Sequence, residues 1–286
     1  MIKVKKLSDT FTLTNGYEIP VLGYGTWQVT NPEECVEGVI NAVKAGYRHI
    51  DTAQMYGNEE YVGEGIRQSG VPREELFVTT KINNTSHGYD AVRKSTEESL
   101  EKLGLDYLDL VLIHWPVVKS ANGDWQQDDI DTWRALEDLY EEGKLKAIGI
   151  SNFAVKHLEN IVANCSVVPM VNQIKLFPGV LQEDTVALSR KHNMVIEAYS
   201  PLAPIKELSE DEKVQAMCEK YGKTVAQLLL RFSLQHEFLP LTKSVHEDRI
   251  KENAAIFDFE ISAEDMSYLD NLSFENFSKP DDDKAR

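Results

Sequence analysis

Residues 31–52, NPEECVEGVINAVKAGYRHIDT, spell out a helix followed by a strand. Asn31 can cap the helix, Pro32 fills the first helical position where its missing N–H costs nothing, and Glu33 and Glu34 face the positive end of the helix dipole. Cys35, Val36, Val39, Ile40 and Val43 recur at helical spacing and form one apolar face, and Gly46 stops the helix. The stretch 48–52 then reads as a short strand. The same alternation runs to the end of the chain, with strand candidates at 22–26, 48–52, 77–81, 108–115, 147–152, 170–174, 195–201 and 239–244. Between them lie helical patterns such as the stripe Trp133, Leu136, Leu139 and Tyr140, and two pairs with capping-box spacing, Ser209 with Glu212 and Thr224 with Gln227. Eight strands separated by helices specify a parallel sheet, and that number suits closure into an α/β TIM barrel, (β/α)8, with an open doubly wound sheet as the competitor.

Working outward, the segment 11–20 alternates apolar and polar residues around Asn15-Gly16, a pair able to take positive φ, so a tight hairpin is expected before the barrel. No Ser/Gly/Pro-rich linker interrupts the chain, which reads as a single domain, 1–286, with the hairpin at its start and a polar tail over 273–286. Lys and Arg number 30 against 47 Asp and Glu, a formal charge of −17 that repels polyanions and disfavours nucleic acid as a partner. At 42% hydrophobic and 27% charged residues the composition is that of a folded globular protein. Residues 1–10 lack the apolar run of a signal peptide, and no stretch approaches the ~20 apolar residues of a membrane helix. A soluble, cytoplasmic protein with no membrane partner is expected. Cys35, Cys165 and Cys218 are scattered and show no metal-ligand spacing, which suits a reducing compartment and predicts no metal.

No Walker loop, GxSxG elbow, HExxH pair or EF-hand is present, and neither Gly23-Tyr24-Gly25 nor Gly63-Glu64-Gly65 extends to GxGxxG. In a barrel, however, the C-terminal ends of all strands converge on one mouth. Asp51, Lys81 and His114 end neighbouring strands, and Tyr56 follows Asp51. A lysine at a buried strand end needs a carboxylate, and Asp51 is the natural partner. A phenol beside such an ammonium has its anion favoured and its pKa lowered, which would make Tyr56 a proton donor near neutral pH. Singly, His114 reads as a core histidine, Tyr56 as a loop aromatic and Lys81 as a surface cation; together they read as a catalytic group.

The segments GYRHIDTAQMYGNEEYVG (46–63), LGLDYLDLVLIHWP (103–116) and KSVHEDRIKEN (243–253) resemble, in order, the catalytic Asp/Tyr segment, the histidine segment and the nucleotide-phosphate segment of the aldo-keto reductase family. The short C-terminus is similar to the bacterial branch that includes diketogluconate and glyoxal reductases. The resemblance implies Asp51, Tyr56, Lys81 and His114 as the catalytic residues and an extended nicotinamide cofactor bound across the mouth. It places Ser151, Asn152 and Gln173 at the carboxamide, Tyr199 beneath the nicotinamide ring, Ser200 and Leu202 at the pyrophosphate, and Gly25, Thr26 and Trp27 along the same cleft. Lys243, Ser244 and Arg249 would hold a 2′-phosphate and Asn253 the adenine, so NADPH is favoured over NADH.

The implied reaction is hydride transfer to a carbonyl carbon, with Tyr56 giving its proton to the oxygen and His114 orienting it. Trp27 and Trp115 would wall a substrate pocket, and 119–129, which includes Trp125, would loop over the mouth. Two departures stand out: Lys175 and Phe177 replace an acidic residue and a histidine common among relatives, and the chain lacks the long aromatic C-terminal loop of steroid-type relatives. An open site for small aldehydes, dicarbonyls and keto acids or esters, on a monomeric enzyme, is the expectation. The alternatives are a Schiff-base aldolase using Lys81 as nucleophile, which needs a depressed lysine pKa, and a non-catalytic cofactor-binding partner protein.

Overall fold

The structure, a computed structural model, describes residues 4–116 and 124–274. Most of the polar tail and the segment 117–123, which includes part of the expected mouth loop, therefore lie outside the described residues.

The chain opens with the hairpin, β1 (Thr10–Thr12) antiparallel to β2 (Glu18–Pro20). Only Gly16 takes a positive φ, 83°, while the Leu13 N–H donates to the Tyr17 carbonyl at 2.8 Å and the Gly16 N–H to the Leu13 carbonyl at 2.9 Å. The connection is thus a turn followed by one left-handed glycine, rather than a two-residue turn with both φ angles positive.

Eight parallel strands follow: β3 (Gly23–Gly25), β4 (His49–Asp51), β5 (Phe77–Ile82), β6 (Leu110–Ile113), β7 (Ile148–Ser151), β8 (Val171–Lys175), β9 (Val195–Tyr199) and β10 (Phe238–Thr242). They close into a barrel in sequence order, β10 pairing with β3 through Leu241 opposite Gly23. Every strand read from the sequence is present, shifted or trimmed by no more than two residues at an end. Closure leaves no sheet edge, and the surrounding helices bury the outer face, so the strands are covered on both sides.

The helix Pro32–Lys44 begins as its sequence dictates, with the Asn31 side chain accepting from the Glu34 N–H at 3.1 Å. Its buried face comprises Cys35, Gly38, Val39, Ala42 and Val43, whereas Val36 and Ile40 are only half-buried. Small residues enter that face because the helix lies close to the sheet: a Cβ on Gly38 would collide with the Tyr24 hydroxyl. The Thr224/Gln227 capping box forms at the start of Val225–Gln235. Ser209 does not cap. Its hydroxyl closes the preceding short helix on the Ile205 carbonyl at 2.6 Å, and Asp211 instead accepts from the N–H groups of Lys213 and Val214.

At the N-terminal end of the barrel Tyr17, from the hairpin, donates to Asp109 Oδ1 at 2.6 Å. Arg73 Nη2 meets Asp109 Oδ2 at 2.6 Å, and the Val78 N–H donates to the same oxygen at 2.8 Å. This triad ties hairpin, β5 and β6 together beneath the core. All three cysteines are free thiols, Cys35 buried and the others half-buried. Among the described residues no helix is long and apolar enough to cross a membrane, and no cluster of His, Cys, Asp and Glu could hold a metal ion.

Candidate active site

The last residue of β4, Asp51, and the penultimate residue of β5, Lys81, meet at the C-terminal mouth: Lys81 Nζ donates to Asp51 Oδ1 at 2.6 Å and to the Thr52 carbonyl at 2.9 Å. The lysine side chain is wholly buried. Its third donor direction points to the Tyr56 hydroxyl at 3.4 Å. Tyr56 reaches this place because the short 3-10 turn Gln54–Tyr56 leaves β4 and ends at Gly57, whose φ is 66°. His114, one residue past β6, sets its ring edge-on to the Tyr56 ring, centroids 5.7 Å apart. Its Nδ1 is buried with no hydrogen-bond partner. Acid, ammonium, phenol and imidazole thus share one spot, as the sequence predicts.

The electrostatics correct one expectation. Burial is the strongest influence on Tyr56 and raises its pKa; the Lys81 charge opposes this, Asp51 reinforces it, and the net shift is upward. The lysine does act in the predicted direction, but its charge is already answered by Asp51, and the phenol is withdrawn from water. Burial likewise weighs most on Lys81 and disfavours its charge, yet Asp51, Tyr56 and Glu197 together carry its pKa above the ordinary lysine value. A Schiff-base nucleophile requires the opposite shift, so the geometry counts against an aldolase. Burial, assisted by the Lys81 charge, pushes His114 down to about 3, leaving a neutral imidazole.

Several buried or half-buried residues that the sequence reading did not single out hold this group in place. Asn58 donates to the Thr26 and Val29 carbonyls at 2.9 and 3.1 Å and accepts from the Thr52 hydroxyl, fixing the loop that carries Trp27. Gln54 accepts from the Asn83 N–H at 2.8 Å and donates to the Ser99 hydroxyl, locking the turn before Tyr56. Glu197 and His49 are fully buried on β9 and β4. For Glu197 the signal was available, a carboxyl in the otherwise apolar run 195–198 of β9; β4, which is His49-Ile50-Asp51, offered no such contrast.

The residues assigned to a cofactor cluster around the same mouth. Ser151 donates to the Gln173 carbonyl at 2.8 Å; Asn152, at φ 62°, donates to the His114 carbonyl at 2.9 Å and accepts from the Tyr199 hydroxyl at 2.7 Å. Gln173 is committed elsewhere than the sequence suggested: its amide nitrogen donates to Asp51 Oδ2 at 3.0 Å and Glu197 Oε2 at 2.7 Å. Only its side-chain oxygen, Oε1, is left to meet a carboxamide, the backbone carbonyl being taken by Ser151 and the Asn152 N–H. Ser200 has φ 52° just past β9, and Leu202 is half-buried in the following turn. Gly25 and Thr26 are buried against the end of β4, the Thr26 N–H donating to the Asp51 carbonyl at 3.0 Å.

Beyond β10, Lys243 and Arg249 are exposed, and neither forms an ion pair or side-chain hydrogen bond with another described residue. They flank the start of the helix Glu247–Ala254, whose first N–H groups lack a side-chain cap. Ser244 and Asn253 are buried beside them, with Ser244 Oγ accepting from the His246 N–H at 3.1 Å. Uncompensated cations at a helix N-terminus suit a phosphate. Trp27 is 54% exposed at the rim and Trp115 half-buried. Phe177, in place of a histidine, is fully buried and packs edge-on to Phe274, while Lys175 ends β8 opposite Tyr199.

A closed parallel barrel with an Asp, Tyr, Lys and His set at its mouth defines the class of barrel oxidoreductases. The family model of the aldo/keto reductase family matches residues 21–273. Glyoxal reductase of Bacillus subtilis (strain 168) is 46% identical over 278 residues, 97% of this chain and 98% of that protein. Among solved structures, an aldo/keto reductase from Brucella melitensis has a TM-score of 0.88 and 42% identity, covering 94% of this chain and 99% of that one. An aldo-keto reductase from Bombyx mori in complex with NADP has a TM-score of 0.85 and 35% identity, covering 93% and 92%. The chain belongs to the aldo/keto reductase family and is an oxidoreductase.

Proposed function

We propose that this protein reduces small aldehydes, dicarbonyls and keto acids or esters to alcohols with NADPH, Tyr56 acting as proton donor. The observation that carries the reading is the contact of the Tyr56 hydroxyl with Lys81 Nζ at 3.4 Å, itself paired with Asp51 at 2.6 Å. A bound nicotinamide supplies the hydride. Ser151, Asn152 and the side-chain oxygen of Gln173 would hold its carboxamide, Tyr199 would support its ring, and Lys243 and Arg249 would pair with a 2′-phosphate.

The protein's own part is electrostatic. Oxygen gains negative charge as the carbonyl carbon is reduced, and donors already aimed at it lower the barrier most. The Tyr56 O–H is one such donor. Neutral His114 is the second, able to hydrogen-bond the oxygen without itself surrendering a proton. As Tyr56 gives up its proton, the nascent phenolate is met by the Lys81 ammonium, which Asp51 keeps charged.

The test is oxidation of NADPH, and separately NADH, across a panel of aldehydes, α-dicarbonyls, keto acids and sugars. Preference for NADPH, with turnover lost in Tyr56→Phe while cofactor still binds, supports the reading; undiminished reduction by that variant removes Tyr56 from the role. Reversing the charge of Lys243 and Arg249 should raise the KM for NADPH and leave that for NADH nearly unchanged.

A further inference from the structure

Beneath the mouth lies a second carboxyl that the mechanism above does not use. Contacts between β4 and β8 or β9, which are not neighbours in the sheet, cross the barrel interior. There the Gln173 amide nitrogen bridges Asp51 Oδ2 and Glu197 Oε2, at 3.0 and 2.7 Å, so Asp51 is held between Lys81 on one oxygen and Gln173 on the other. Glu197 is fully buried. Its remaining oxygen, Oε1, accepts no hydrogen bond, and the nearest polar atom recorded for it is His49 Nε2 at 3.8 Å.

We propose that Glu197 is a positioning residue for carbonyl reduction, a neutral carboxyl whose carbonyl oxygen anchors Gln173 and, through it, the face of Asp51 turned away from Lys81. The proposal rests on the functional reading above. Two arguments support the neutral form. Lys81 and Asp51 cancel, so an ionised Glu197 would leave an uncompensated charge in the barrel, the costliest arrangement a core can hold. Oε1 has no partner in either form, and an unpartnered oxygen away from water costs less on a neutral carboxyl than on one that bears a charge.

The groups facing Glu197 are few. Asp51 and His49 come from β4, Lys81 from β5 and uncharged Gln173 from β8, while β10 presents Leu239 in register. His49 is neutral, since burial first and Lys81 second push it to about 3. Burial, then Asp51, raises Glu197 to about 8. Above that pH a second negative charge appears beside Lys81. It tightens the hold of both Lys81 and Tyr56 on their protons, and proton donation to substrate slows.

The experiment uses the full chain. Infrared difference titration of the wild type should show a protonated carboxyl C=O band at pH 7 that disappears around pH 8 and is missing from Glu197→Gln and Glu197→Met. No such band in the wild type, or its persistence in either variant, overturns the proposal. This arm involves no turnover, so it stands apart from the functional reading, which fails instead if the wild type oxidises NADPH with no carbonyl compound. In the pH profile of kcat/KM for reduction, the wild type should fall through about pH 8 and Glu197→Gln should lose that limb. At pH 7, Glu197→Met, which has no acceptor for Gln173, should lower kcat about ten-fold, and Glu197→Gln should recover most of the loss. An alkaline limb identical in wild type and Glu197→Gln would reduce Glu197 to a packing residue.

Discussion

The barrel carries the same three side-chain types at each end: a cation, an aspartate and a tyrosine. At the bottom Arg73, Asp109 and Tyr17 meet, with both the guanidinium contact and the phenol contact at 2.6 Å. At the mouth Lys81 and Asp51 also meet at 2.6 Å, but Tyr56 contacts the ammonium rather than the carboxylate. The difference lies in where the phenol proton goes. Tyr17 gives its proton to Asp109, and burial together with that carboxylate drives its pKa far up, so it is a structural peg. Tyr56 instead accepts from Lys81, leaving its own O–H free to point into the mouth. A buried ion pair with a tyrosine is therefore not in itself a sign of catalysis; the direction of the tyrosine hydrogen bond decides.

Removing each hydroxyl in turn separates the two tyrosines. Tyr56→Phe should lose about 10³-fold in turnover, within the range of a positioned general acid, with cofactor binding intact by fluorescence titration. Tyr17→Phe should leave turnover unchanged and lower unfolding free energy in urea by about 1 kcal/mol or somewhat more. Equal loss of activity in the two would erase the distinction.

Removing the cations sharpens it further. Lys81→Met leaves Asp51 with the Gln173 amide as its one remaining side-chain donor, and should cost about 3–5 kcal/mol of stability as well as activity. Arg73→Met leaves Asp109 with Tyr17 and the Val78 N–H, and should cost less, about 1.5–3 kcal/mol, with kcat retained.

The remaining effect concerns pH. His114 binds its proton in the folded state only below about 3, against an ordinary value near 6.5. The unfolded chain therefore holds the extra proton between these limits; the stability contributed is complete above about pH 6.5 and is lost as pH falls toward 3. Within that window His114→Gln should flatten the fall of unfolding free energy by up to about 1.4 kcal/mol per pH unit, measured by urea unfolding at several pH values. Tyr17, raised in the folded state, loses its contribution only as pH climbs past about 10.

Much of this was legible in advance. Helix caps such as Asn31 and Thr224 act within one turn of chain, so their spacing is their structure. Eight apolar strands alternating with amphipathic helices leave few ways to bury both faces of a parallel sheet, and the strand ends of a barrel must converge. Asp51, Tyr56, Lys81 and His114 follow from that convergence. Ser209 misled because two caps competed for neighbouring turns, and its hydroxyl had a nearer acceptor in the Ile205 carbonyl.

Local spacing along the chain dictates the barrel, the order of its strands and the set of groups brought to its mouth. What those groups do to one another was settled by folding. The net rise in the Tyr56 pKa, the diversion of the Gln173 amide to the Asp51 and Glu197 side chains and the burial of Glu197 under Asp51 all arise across the barrel interior, between strands far apart in the chain. Desolvation and charge coupling there depend on distance in space, and no spacing along the sequence encodes it.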